Sequence, residues 1–92
     1  MAVTVRLPGA LRDATGGETN LTASGKTVRE LIADIDKRHP GFAARVLDDK
    51  GGLRSYINVY IGDEDARTRG GAGATVPDGS ELMVIPAMAG GR

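Results

Sequence analysis

Apolar and polar residues alternate at the start of the chain: Val3, Val5 and Leu7 are separated by Thr4 and Arg6. A period of two marks a strand with one buried face, and Pro8-Gly9 ends it. Residues 10–15 read as a short helical turn ahead of Gly16-Gly17. A weaker alternation over 18–23, with Thr19, Leu21 and Ala23 on one side, predicts an edge strand returning beside the first. The period then changes. Val28, Leu31, Ile32 and Ile35 recur at helical spacing, which predicts a helix over 27–39. Thr27 and Glu30 have capping-box spacing, and Pro40-Gly41 stops the helix. Residues 42–47 suit one further helical turn, and 48–52 a polar loop.

A second clear strand covers 56–61, with Ile57, Val59 and Ile61 on one face. Gly62-Asp63-Glu64-Asp65 reads as a turn and 66–69 as a short return strand, while 70–74 is too rich in glycine to be regular. Val76-Pro77-Asp78-Gly79 suits a type I turn, with proline second and glycine fourth. The last strand, 81–86, is apolar on both faces: Leu82 and Val84 on one, Met83 and Ile85 on the other. One face packs the core, and the other is buried too or docks a partner. The order of elements is α+β, with one amphipathic helix covering one face of a small mixed sheet. Ninety-two residues make one domain. The pattern places it at 1–86 and leaves 87–92 as a tail.

Charge and composition narrow the function. Twelve basic and twelve acidic residues cancel, and only Phe42, Tyr56 and Tyr60 are aromatic. That argues against a nucleic-acid surface. Cysteine is absent, so disulfides, thiolate nucleophiles and cysteine metal sites are excluded together, which suits a reducing cytoplasm. The most apolar stretch, 82–89, contains Pro86 and is far too short to cross a membrane. The start of the chain shows no apolar leader segment.

Side-chain chemistry is sparse. His39 is the single histidine and sits at the end of the predicted helix, where a cation suits the dipole. Asp63, Glu64 and Asp65 lack the alternation of a calcium loop and read as a solvated turn. Gly70-Gly71-Ala72-Gly73 lacks the lysine of a phosphate loop. No self-contained active site emerges, so the chain reads as a protein cosubstrate and not as an enzyme. The remaining feature is the end: Ala87-Met88-Ala89-Gly90-Gly91-Arg92. A narrow tail of small residues can enter a partner's channel as an extended strand. Glycine lets the partner's backbone approach a terminal carboxyl without a Cβ in the way.

These residues resemble the ThiS/MoaD family of sulfur-carrier proteins. The likeness rests on Val3-Thr4-Val5-x-Leu7-Pro8, Leu11-Arg12, Gly16-Gly17, the helix through Ile35, and Asn58-Val59-Tyr60. Its most specific part is Asp78-Gly79-x-Glu81-Leu82-x-Val84-Ile85-Pro86-Ala87-Met88-Ala89-Gly90-Gly91. Asn58-Val59-Tyr60-x-x-Asp63-Glu64-Asp65-x-Arg67 most resembles the family's cysteine-synthesis branch, the CysO type. The resemblance implies a β-grasp (ubiquitin-like) fold with no bound cofactor. It implies that a ThiF/MoeB-like adenylyltransferase uses ATP to activate the carboxyl of Gly91, which becomes a thiocarboxylate. Ala89 and Gly90 would thread the partner's channel, and Met83, Ile85 and Met88 would dock it. The sulfur acceptor would be a PLP-dependent cysteine synthase or a ThiG-like thiosugar synthase. The family alternatives are a molybdopterin-synthase small subunit and a thiamin carrier. From another class come a ubiquitin-like modifier or interaction module, and a small ligand- or metal-binding domain using Asp63, Glu64 and Asp65. Two departures stand out. Pro86-Ala87 replaces the Pro-Pro of many relatives, and Arg92 covers Gly91. Arg92 is either trimmed before activation, with a JAMM-type zinc peptidase as the implied partner, or an addition to the natural terminus, or a sign that the chain is not a carrier.

Overall fold

The computed structural model describes residues 2–86. Five strands form one mixed sheet: β1 Val3–Arg6, β2 Asn20–Ala23, β3 Ile57–Ile61, β4 Glu64–Asp65 and β5 Glu81–Pro86. Their spatial order is β2-β1-β5-β3-β4. The first and last strands run parallel at the centre, and the other neighbours are antiparallel. The main helix, α1 Val28–Arg38, packs against one face, and a short helix, α2 Phe42–Val46, follows it. This is the expected α+β arrangement, with the two halves of the chain closed on each other by the β1–β5 pairing.

The alternation seen in the sequence becomes the two faces of the sheet. Val3, Val5, Leu21, Ala23, Ile57, Val59, Ile61, Leu82 and Val84 are buried, together with Val28, Leu31, Ile32 and Ile35 of α1 and Phe42 and Val46 of α2. The helix starts as its residues dictate. Thr27 accepts a hydrogen bond from the Glu30 amide at 3.2 Å. The Glu30 carboxylate returns to the amide of Lys26 at 2.8 Å, one residue before the cap, so the capping box is displaced by one position. Gly25 permits that approach, since a Cβ there would lie 2.8 Å from the Glu30 Cβ.

Three expectations need correction. The return strand is Glu64–Asp65, not 66–69. Gly62 takes φ 61° in a two-residue turn, so pairing resumes at once with Glu64 opposite Ile61. Asp65 then caps a 3-10 helix over Ala66–Arg69. Second, the glycine-rich stretch is ordered in part as the 3-10 helix Gly71–Gly73, because the small Ala72 and Ala74 fit into buried positions. Third, the proline turn lies one residue later. The Ser80 amide donates to the Pro77 carbonyl at 3.1 Å, and Gly79 sits third with φ 81°, as a type II turn requires. The turn expected over 10–15 is the 3-10 helix Gly9–Thr15. The tail expected at 87–92 lies outside the described residues.

Candidate functional site

Strand β5 organises the site. Leu82 and Val84 are fully buried against the helix layer, while Met83 and Ile85 point to the opposite face and are half-buried. Strand register supplies their neighbours. Met83 stands between Arg6 of β1 and Tyr60 of β3, and Ile85 stands opposite Asn58. Arg6, Leu7, Pro8, Met83, Val84 and Ile85 line a shallow open cleft on this side. The result is an apolar strip on a face whose other members include Thr4, Arg6, Asn58, Tyr60, Asp65 and Glu81.

Charges flank the strip on both sides. Arg6 and Glu81 pair at 2.5 Å across the parallel strands. On the other side, Arg67 reaches back to the sheet. Its Nη1 donates to Asn58 Oδ1 at 2.9 Å and its Nη2 to the Arg54 carbonyl at 2.8 Å. The last pair of the sheet, Ile57 with Pro86, adjoins the Asn58–Ile85 pair. The face therefore lies at the end of β5 from which the sequence continues to Gly91.

The acidic triplet is accounted for locally. Asp65 Oδ1 accepts from the Arg67 amide at 2.9 Å, Glu64 pairs with Arg69, and Asp63 is exposed in the turn. Among the described residues, no group of three or more His, Asp or Glu side chains could hold a metal ion. His39 caps the C-terminal end of α1, its amide donating to the Ile35 carbonyl at 2.9 Å. A lowered carboxyl pKa lies elsewhere. The amides of Gly52 and Lys50 donate to the Asp48 carboxylate and hold its pKa below the ordinary 3.8. A second, wider groove at the start of α1, lined by Lys26, Glu30 and Asp78 among others, is away from this face.

Of the residues singled out in the sequence, the structure brings Met83 and Ile85 together on one face. Met88, Ala89, Gly90, Gly91 and Arg92 lie outside the described residues. Reading the sequence did not assign a role to the Asn58–Arg67 tether or to Pro8. The spacing of Asn58 and Arg67 in the CysO-type motif was the available signal, but no local periodicity shows that a side chain nine residues on returns to the same strand.

The comparisons with known proteins agree with this architecture. The ThiS family model matches residues 5–91. The sulfur carrier protein CysO of Mycobacterium tuberculosis is 39% identical over 93 aligned positions, which cover 99% of this chain and 100% of that protein. A crystal structure of an Amycolatopsis orientalis BexX/CysO complex matches with TM-score 0.91 and 49% identity, over 98% of this chain and 100% of the matched one. The small archaeal modifier protein 1 of H. volcanii matches with TM-score 0.75 and 25% identity, over 92% of this chain and 95% of its own. The β-grasp order of strands, the outward apolar strip at the end of β5 and a full-length match to a named carrier lead to one assignment: this chain belongs to the ThiS family, as a CysO-like sulfur carrier.

Proposed function

We propose that the carboxyl of Gly91, freed from Arg92, is adenylated by a ThiF/MoeB-like enzyme and converted to a thiocarboxylate. The thiocarboxylate then donates sulfide to an acceptor enzyme in cysteine or other sulfur-metabolite synthesis, thiosugars included. The observation that carries the reading is the end-to-end alignment with a sulfur carrier, combined with a family match that reaches Gly91. The chemistry balances. The Gly91 carboxylate attacks the α-phosphate of ATP and pyrophosphate leaves. Sulfide then attacks the acyl carbon, the bond to AMP breaks, and the carbon retains sulfur. A free carboxylate has no comparable leaving group, which is why the nucleotide is needed.

Arg92 matters in this scheme because its peptide bond removes the carboxylate from Gly91. The free carboxyl then lies one residue further out, roughly 3.3–3.6 Å along an extended chain. Misplacing a reacting atom by about 1 Å can already cost ~100-fold. A zinc peptidase of the JAMM type is the trimming partner in this reading. Met83 and Ile85 dock the activating and acceptor enzymes, with Met88 continuing the contact and Ala89 and Gly90 threading the channel. Catalysis is assigned to those partners, consistent with the carrier role of the relatives.

The test is intact-protein mass after incubation with adenylyltransferase, ATP and sulfide. A chain ending at Gly91 gains 16 Da (about the difference between sulfur and oxygen), the chain bearing Arg92 does not, and loss of Gly91 abolishes the gain. Equal gain with Arg92 in place refutes the block. A ubiquitin-like modifier would appear instead as isopeptide adducts on other proteins.

A further inference from the structure

The two cations beside β5 differ in how their charge is met. Arg6 is neutralised by Glu81. Arg67 is held by two neutral acceptors, the Asn58 side-chain oxygen and the Arg54 carbonyl. Its own amide is tied to Asp65, which fixes the backbone beneath it. Among the described residues, no carboxylate lies within 4.0 Å of its guanidinium. Arg67 is thus an oriented cation with its full charge, exposed, and positioned over the Asn58–Ile85 pair near the end of β5.

We propose that Arg67, positioned by Asn58, sets partner specificity, and that the partner presents a carboxylate to it beside an apolar surface covering Ile85 and Met83. This rests on the docking face described under the proposed function and names the chemistry of its occupant. A partner that covers Ile85 also removes water from Arg67. An amide oxygen and a carbonyl bind the guanidinium but do not neutralise it. A desolvated charge left without a counter-ion is strongly unfavourable, so an apolar partner surface alone is rejected. An acidic side chain offsets the charge. Because the guanidinium is already held by two hydrogen bonds, little side-chain freedom is lost on pairing. Glu81 and Asp65 on the same face, together with the zero net charge, disfavour a polyanion as the occupant.

The test uses BexX of Amycolatopsis orientalis, the protein that shares a structure with CysO, as the probe. Its affinity for the full chain is measured by calorimetry at low and high salt. Arg67→Gln is expected to weaken binding about tenfold or more and to flatten its salt dependence. Asn58→Asp discriminates between roles. It places a carboxylate against the same guanidinium, which keeps the tether and the thermal midpoint but cancels the charge, and it is expected to weaken binding by a similar factor. If Arg67 only braces the loop, Asn58→Asp leaves affinity unchanged, and that result overturns the proposal. If Arg67→Gln and Asn58→Asp both bind normally while Ile85→Asn does not, the docking face stands and the role of Arg67 fails. If the unchanged chain shows no binding to BexX, both are overturned. If Arg67→Gln instead dissociates a dimer of this chain, the carboxylate belongs to a second copy and the proposed partner is wrong.

Discussion

Adjacent residues of β5 offer a controlled comparison, because Val84 and Ile85 share a strand but face opposite ways. Replacing each with asparagine changes the backbone preference by a similar amount, up to about 1 kcal/mol. The remaining difference measures the environment. Val84 is fully buried among Val5, Val59 and the helix layer. Val84→Asn loses about 1.5–3 kcal/mol of apolar burial and leaves a buried amide without partners, at a further cost of about 1–3 kcal/mol. Ile85 is half-buried, and its cross-strand neighbour is already an asparagine, Asn58. Ile85→Asn therefore loses only part of the burial energy, about 1 kcal/mol, and its amide stays hydrated.

A domain of this size has a total stability of about 5–14 kcal/mol, with small domains at the lower end. Val84→Asn is expected to consume most of that. Each kcal/mol shifts the midpoint of a 60–100-residue domain by about 4–8 °C. Thermal unfolding followed by circular dichroism should show Ile85→Asn folded, with a midpoint lowered by at most about 16 °C (up to about 2 kcal/mol in all), and Val84→Asn lowered well beyond that or unfolded at about 25 °C. Comparable losses at both positions would refute the division of the sheet into a core face and an open face. The docking proposals would then lose their surface.

Two further outcomes are expected. Thr15 is a fully buried polar residue whose Oγ1 lies 2.6 Å from the Glu18 carbonyl and 3.2 Å from that of Arg12, so Thr15→Val should cost about 1–3 kcal/mol in urea unfolding, and a neutral result would show that these carbonyls find other donors. Asp48 has a folded pKa below its ordinary value, so its contribution is present above pH ~4 and is lost as pH falls through the folded value; Asp48→Asn should flatten the acid limb of stability there, and an unchanged limb would show that other carboxylates set it.

How far the sequence could be read depended on the range of the interactions. Strands β1, β3 and β5 and helix α1 were legible because one buried face imposes a period on consecutive residues. Leu82 and Val84 could be separated from Met83 and Ile85 on that ground alone. The turns were harder. Gly62 and Gly79 each carry a positive φ, and one residue's conformation shifts the register of everything after it. The return strand therefore came out at Glu64–Asp65 and the proline turn one position late. The segment Gly71–Gly73 looked irregular because its order comes from contact, with Ala72 and Ala74 buried and the Ala74 carbonyl accepting from the Val28 amide at 3.1 Å. The Arg67 tether was hidden for the same reason: its partners are nine and thirteen residues away.

The topology also bears on how a tail can be held while an enzyme works on its end. The strand leading to Gly91 is central, not an edge: β5 is bonded to β1 through Glu81, Leu82 and Met83, and to β3 through Leu82 to Pro86. Its parallel contact with β1 joins the first and last strands of the fold, so the base of the tail is tied to the most buried part of the sheet. Past Met83 the β1 side is no longer paired, and Pro86 cannot donate a ladder hydrogen bond. The chain is thus anchored on both sides up to Met83 and on one side up to Pro86. That gradation suits the proposed mechanism, in which the terminus enters another protein: a partner taking hold beyond Pro86 would not compete for the strand bonds that stabilise the fold. The apolar strip of Met83 and Ile85 lies along the same few residues, so the proposed docking surface adjoins the point where the sequence leaves the sheet for Gly91.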